Sequence, residues 1–343
     1  MKIYKLHCDI LSPIHIGSGG EIDPLSYIID AGRLYGISFD KFLYAMNDET
    51  RTRFEGLIDK GDLVEIRKFV AENINKESNT VFTIEVSPKV ASLYKAKIDD
   101  IENQLLIHPF IRTEGDSIPL MPGSSIKGAI RTAIISELAK NSNLPKPRDA
   151  REEYGFESIV LGFKDGKDDP FRGLRMRDKV LQRGETIVRE VKNVSRKKGS
   201  LEANNIQIIC EVTHALVTGK GVSFETEMSF DNELYSTKFL SRTFSIEQVI
   251  NPCKNFYRDK MEQEHKKFYK GSEVEKISDK LLNISYDDKS FPLRLGRFSG
   301  VESVTLDNYR NPRPPGKRSV WGTSRNLAEG LYPMGWVKVT VSE

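Results

Sequence analysis

Polar and apolar residues alternate from Lys2 to Ile10, with Tyr4, Leu6, Cys8 and Ile10 on one side and Lys5, His7 and Asp9 on the other. A period of two places successive side chains on opposite faces, so the pattern predicts a half-buried β-strand. Two short strand patterns follow, Leu25–Asp30 and Arg33–Phe39, joined by Ala31-Gly32. From Asp40 to Lys76 the apolar positions Phe42, Leu43, Met46, Leu57, Ile58, Leu63 and Ile66 recur at helical spacing. Strand patterns return at Thr80–Ser87 and, after a polar stretch, at Leu105–Ile111. The strongest helix lies within Pro119–Lys140, where Ser124 or Ser125 supplies the start signal and Ile126, Ala129, Ile130, Ala133, Ile134 and Leu138 form an apolar face. Residues Asn141–Pro170, rich in proline, glycine and charge, read as an irregular insertion. Strands are then expected at Leu174–Asp178, Thr186–Val194, Ile206–Val217 and Gly221–Phe230. A charged helix is expected over Ile246–Phe268, and a last strand in "GWVKVTVS". The fold class this implies is α+β, with mostly antiparallel strands and helices on one face, as in ferredoxin-like (RRM-like) modules split by insertions. The expected division is residues 1–170, an N-terminal module with a helical insertion, and 171–343, a β-rich C-terminal module.

Composition narrows the class. The chain has 343 residues, 38% hydrophobic and 29% charged, enough for two domains with buried cores. No run of eighteen apolar residues predicts a membrane span, and no export signal is visible, so a cytoplasmic protein without membrane association is expected. Cys8, Cys210 and Cys253 have no CxxC spacing, which supports neither a zinc site nor a disulfide framework. No cofactor motif is present. Net charge is only +3, but it is unevenly spread. Arg172–Lys198 holds ten Lys/Arg against three Asp/Glu, and Arg294–Arg325 holds seven against two, whereas Asp40–Asp116 is net acidic. Basic charge in the second half suits a phosphate backbone, although each stretch alone also fits a solvated face.

Three glycine-bearing motifs carry the candidate chemistry. The first strand runs into "IHIGSGG", with His15, Gly17, Ser18, Gly19 and Gly20. Such a loop is either a tight turn or a row of N–H groups that an anion can approach without meeting a Cβ. The second, "PGSSIKGAIR", has Gly123, Ser124 and Ser125 opening a helix with Lys127 and Arg131 four apart on one face, an arrangement suited to phosphate. It is no nucleotide P-loop, because Ala129 stands where Lys-Ser or Lys-Thr would have to follow the glycine. The third, "LRLGRFSG", offers Arg294, Arg297 and Ser299, or simply a β-bulge. Phe171, Phe298, Tyr309 and Trp321 lie near basic residues and could stack on unpaired bases, though core packing accounts for most such aromatics.

"LSPIHIGSGG" resembles the N-terminal glycine loop of the RAMP superfamily of CRISPR proteins, and "LMPGSSIKGAIRTAI" resembles its second signature. With "LRMRD", "PLRLGRFSG" and "WGTSRNLAEGLYPMGWVKV" in the same order, the chain is similar to one branch, the fifth Csm subunit of type III-A effector complexes. Long segments, notably Asn47–Thr113 and Asn141–Asp169, carry no matching motif. The resemblance implies a non-catalytic RNA-binding subunit that caps the 3′ end of the guide RNA (crRNA), contacts neighbouring Csm backbone subunits and serves crRNA maturation in antiviral defence. Target RNA and a host nuclease are further candidate partners. Two enzymatic readings stand against it. His15 could be the general acid or base of a guide-processing endoribonuclease, although no second catalytic side chain is placed beside it in sequence. Asp23 could correspond to the target-cleaving aspartate of backbone subunits, but only two residues separate it from the glycines, and an Asp before Pro commonly starts a turn. Asp165, Asp168 and Asp169, interleaved with lysine, read as a solvated loop and not as a metal cluster.

Overall fold

The computed structural model describes residues 2–100, 102–140, 142, 144, 145, 147, 150–197, 199–237, 239–306, 309 and 322–343, with only the backbone described at 150, 151, 153 and 154. The candidate Trp321 lies outside these residues. The alternating N-terminus forms the predicted strand, Lys2–Ile10, and occupies the middle of a five-stranded antiparallel sheet. Val222–Phe230 pairs along one side of it and Trp336–Ser342 along the other, with Leu174–Met176 and Ser290–Arg294 at the two edges. Helices Gly123–Lys140 and Glu247–Glu264 pack together and share one hydrophobic core with this sheet. They are pinned to each other where the Tyr257 hydroxyl donates to the Ala129 carbonyl at 3.0 Å.

In chain order these pieces run strand, helix, strand, strand, helix, strand, with the added strand Ser290–Arg294 at one edge, which is the ferredoxin-like order. Leu120–Met121 and Lys179–Val180 pair as a separate two-stranded ribbon, and the remaining strands build a nine-stranded sheet. Its hub is Thr186–Lys197, which pairs with Ile208–Thr213, Ser324–Ala328 and Ser200–Ala203 antiparallel and with Thr80–Val86 parallel. Both sheets therefore draw strands from the two halves of the chain, and the expected division at residue 170 does not separate them.

Most predicted elements appear with trimmed ends, but several helices were not anticipated, of which three are the longest. The polar stretch after Ser87 contains helix Pro88–Lys97, the segment read as irregular contains Ala150–Leu161, and Glu275–Leu282 follows the charged helix. The single helical stretch expected over 40–76 is three helices, Phe39–Ala45, Asp48–Lys60 and Leu63–Asn73, which close a small second core around Phe42, Phe54, Phe69 and Val70 with Ile28 and Ile37 of the adjoining strands. The breaks occur where Asn47 and Asp62 cap new helices with their side chains. Among the described residues, no helix is long and apolar enough to cross a membrane.

Candidate nucleic-acid interface

The first strand ends at Ile10, and the chain is then hydrogen-bonded to the C-terminal segment, Leu11 and Ser12 N–H donating to the Trp336 carbonyl, before it reaches the glycine loop. Both ends of that loop are held by backbone hydrogen bonds. Ile111 N–H donates to the Ile16 carbonyl at 2.7 Å, and Ile22 N–H donates to the Ile107 carbonyl at 2.8 Å. Between these anchors Gly17, Ser18, Gly19 and Gly20 are exposed, and Gly19 adopts a left-handed φ of +87° with open space where a side chain would stand.

The third glycine motif folds directly against this loop. Arg297 N–H donates to the His15 carbonyl at 2.9 Å. A Cβ on Gly296, whose φ is +90°, would lie 2.4 Å from the same carbonyl oxygen, so only glycine permits the approach. Two motifs about 280 residues apart in sequence thus form one surface. Arg297 is exposed there and extends over the Phe298 ring, with the guanidinium 5.6 Å from its centroid.

His15 lies beneath the loop and is only 1% exposed. It stacks on Phe298, ring centroids 5.7 Å apart, and meets Phe110 edge-on. Its Nδ1 bonds the Glu211 carbonyl at 2.8 Å. Because a carbonyl only accepts, Nδ1 carries the proton. Burial pushes the imidazole down to about 4, against the Glu211 carbonyl contact and with smaller contributions from His108 and Arg297, so His15 is neutral at physiological pH. The Glu211 carboxylate is itself fully buried and held by Arg112, by the Thr186 hydroxyl at 2.6 Å and by Phe110 N–H at 2.9 Å. This polar knot fixes the floor of the glycine loop.

His108 completes the surface. It lies near Glu21, with Nδ1 3.6 Å from a carboxylate oxygen, and burial and then Arg297 lower its proton affinity. Sequence reasoning missed His108, Arg112 and Glu211. A charged residue inside the apolar run Ile208–Thr213 was the one signal that could have drawn attention to Glu211.

Several residues expected at the RNA surface are used internally. Arg294 is 2% exposed, and its guanidinium is committed to the Glu264 carboxylate, to the Met334 carbonyl at 3.0 Å and to the face of Trp336. Ser299 is buried and donates to the Gly296 carbonyl at 2.7 Å. Neither side chain is available to RNA; both hold the Arg297 loop in shape. Gly123 is also buried, since a Cβ there would lie 2.7 Å from the Met176 and Arg177 carbonyl oxygens, and its N–H donates to Asp178 Oδ1 at 2.7 Å. The aspartate that closes "LRMRD" therefore caps the helix end expected to receive phosphate. Arg131 ion-pairs with Glu157 and Asp169, both at 2.8 Å, and covers Phe171. Ser124 is exposed, Ser125 half-buried, and Lys127 half-buried with its proton affinity lowered by burial. These three remain open to a ligand. Phe171 and Phe298 are core residues, and Tyr309 stacks on Phe156 at 4.4 Å.

The catalytic alternatives have ordinary structural roles. Asp23 accepts the Leu25 N–H at 2.8 Å and starts the turn Pro24–Ser26. Asp165 caps its own short turn, and Asp169 is spent on Arg131 and Phe171 N–H.

Comparison with known proteins agrees with this architecture. Residues 7–302 match the RAMP superfamily. The protein "CRISPR system Cms protein Csm5" of Methanocaldococcus jannaschii is 26% identical over 324 residues, covering 88% of this chain and 72% of the relative. In fold, the chain is similar to a chain in a cryo-EM structure of a Csm-crRNA-target RNA ternary complex of a type III-A CRISPR-Cas system, with TM-score 0.71, 18% identity and 99% and 100% of the two chains covered. It is also similar to the crystal structure of T. onnurineus Csm5, with TM-score 0.64, 19% identity and 96% and 99% covered. The motifs at Gly17–Gly20, Gly123–Arg131 and Gly296–Arg297 fall within the matched residues, and the chain belongs to the RAMP superfamily.

Proposed function

We propose that the chain is a non-catalytic, guide-RNA-binding subunit of a cytoplasmic type III-A CRISPR ribonucleoprotein. It caps the 3′ end of the crRNA, contacts neighbouring Csm subunits and the target RNA, and serves crRNA maturation. The family membership, the Csm5 relative and the fold shared with a chain of a Csm-crRNA-target RNA complex support this reading. The observation that carries it is the joining of the exposed Gly17–Gly20 backbone to Arg297 on one surface, above a buried neutral histidine. Exposed N–H groups and a cation hold a phosphate backbone without reading its sequence. Lys127, Ser124 and Ser125 form a second basic contact on the same terms.

Two measurements test the reading. Arg297→Ala should weaken guide RNA binding and flatten the plot of log affinity against log salt by about one unit for each phosphate the arginine neutralises. An unchanged affinity at two salt concentrations with the variant folded would remove Arg297 from the interface. Labelled guide precursor incubated with the chain, with and without Mg²⁺, should remain intact. Cleavage that disappears in His15→Ala would establish the endoribonuclease instead.

A further inference from the structure

A cavity of about 440 Å³ opens where the glycine loop ends, a volume that suits a small ligand or a single ring system. Its lining includes Glu21, the residue after Gly20, and His108, the residue after Ile107, whose carbonyl anchors the loop through Ile22 N–H. Asp100, Glu102, Asn103 and Gln207 also line it, and no lysine or arginine does. Three carboxylates with no cation among them repel phosphate, so the part of a nucleotide that can enter is its base. Among the described residues no group of three or more His, Cys, Asp and Glu side chains could hold a metal ion. What the carboxylates offer here is hydrogen bonding.

The wall is polar and firmly built. Asp100 is already paired with Lys97 at 2.8 Å. The ion-pair contact of Glu21 among the described residues is His108, whose Nδ1 lies 3.6 Å from the carboxylate. Burial and then Arg297 hold His108 below its ordinary 6.5, so the imidazole is neutral at physiological pH and leaves the Glu21 charge uncompensated. The two amides are tied to each other, Asn103 Nδ2 donating to Gln207 Oε1 at 2.9 Å and Gln207 Nε2 to Asn103 Oδ1 at 3.1 Å. Each amide has two N–H donors, so each keeps one without a partner among the described residues. Leu105, next along the wall, has a left-handed φ of +51°, and the Tyr27 hydroxyl holds its carbonyl at 2.6 Å.

A charged acceptor and fixed neutral donors therefore share one cavity, one residue from the loop that holds phosphate. Unpaired RNA bases are commonly splayed out and bound along their Watson–Crick edges. Cytosine, adenine and guanine each carry an exocyclic amino group there, which donates to a carboxylate. Uracil carries carbonyl oxygens instead, and the Glu21 charge repels them. We propose that this cavity receives one unpaired base of the bound RNA and favours a base with an exocyclic amino group, which donates to the Glu21 carboxylate. This rests on the RNA-binding function proposed above and adds one base-reading position to contacts that otherwise ignore sequence.

The test is binding of the full chain, by fluorescence anisotropy, to oligocytidine and oligouridine of equal length at two salt concentrations. Both are single-stranded pyrimidine RNAs with the same backbone, so their difference lies in the base edge. Oligocytidine should bind about three- to tenfold more tightly, the scale of one net hydrogen bond. Raising the salt should weaken both strands and leave their ratio in place, because the added bond touches no phosphate. Glu21→Gln should bring the ratio close to one, since a carboxamide can turn to suit the carbonyl of uracil as well as the amino group of cytosine. Glu21 is exposed, so the variant keeps the fold. Equal or tighter binding of oligouridine by the unaltered protein overturns the proposal. So does a cytidine preference that persists in Glu21→Gln, or one that vanishes at higher salt and so belongs to the phosphate contacts. Binding of neither strand overturns the RNA-binding function itself.

Discussion

Arg294 and Arg297 are three residues apart and meet opposite fates, which shows how little residue type alone says about a site. Arg297 is exposed above the glycine loop, whereas Arg294 is buried against Glu264 with Trp336 over its guanidinium. Removing one member of a buried pair strands the other charge, so Arg294→Ala should cost about 3–5 kcal/mol in a denaturant titration. The Glu264 carboxyl adds a pH signature. Burial would raise its proton affinity, but Arg294 and Arg325 outweigh that and hold it below its ordinary 4.5. A carboxyl depressed in the folded state contributes stability above its ordinary value and loses it as pH falls through the folded one. The stability gap between the unaltered protein and Glu264→Gln should therefore be constant near neutrality and shrink below about pH 4.5. A gap that stays constant into acid would mean the pair contributes nothing.

At the scale of elements, Gly123–Lys140 was legible because its apolar residues share a face and two serines precede them. Its glycine was misread for an equally physical reason. A glycine at a helix start signals close approach, and the local sequence does not say whether the approaching group is a phosphate or a neighbouring strand. Here it is the strand end at Met176 and Arg177. Gly123→Ala should therefore lower stability by about 1–3 kcal/mol, as overpacking does, and leave the RNA affinity of the folded protein unaltered. Gly19→Val should do the reverse, with about 1–2 kcal/mol of backbone strain and a much larger loss of guide RNA on co-purification. Melting temperature and bound RNA measured on one sample separate the two. Helix Pro88–Lys97 shows a signal that was present and unused. Ser87 caps it through its side chain and Pro88 takes the first turn, a recognised start pair. Ala150–Leu161 lies among the prolines and charges that read as irregular, and the burial of Phe156, Val160 and Leu161 in the main core holds it.

At the scale of the whole molecule, the individual strands were legible and their partners were not, because alternation says which face of a strand is buried and nothing about what lies beside it. Lys2–Ile10 pairs with residues more than 200 positions away on both sides. This has a consequence for the division expected at residue 170. A fragment of residues 171–343 would keep Val222–Phe230 and Trp336–Ser342 but lose the strand between them, and with it helix Gly123–Lys140 that covers the sheet. Two strand edges would open in the middle of the core, and the apolar faces of Phe224, Met228, Val337 and Val339 would meet water. Neither fragment should fold alone, as judged by dispersed amide signals and a cooperative melt. Mixed from denaturant, they should recover both, since the break between 170 and 171 falls in a short turn and cuts no sheet pairing. A fragment of residues 171–343 that melts cooperatively by itself would show that the two halves of the chain are independent modules after all, and that the glycine loop and Arg297 are brought together by docking instead of by a shared core.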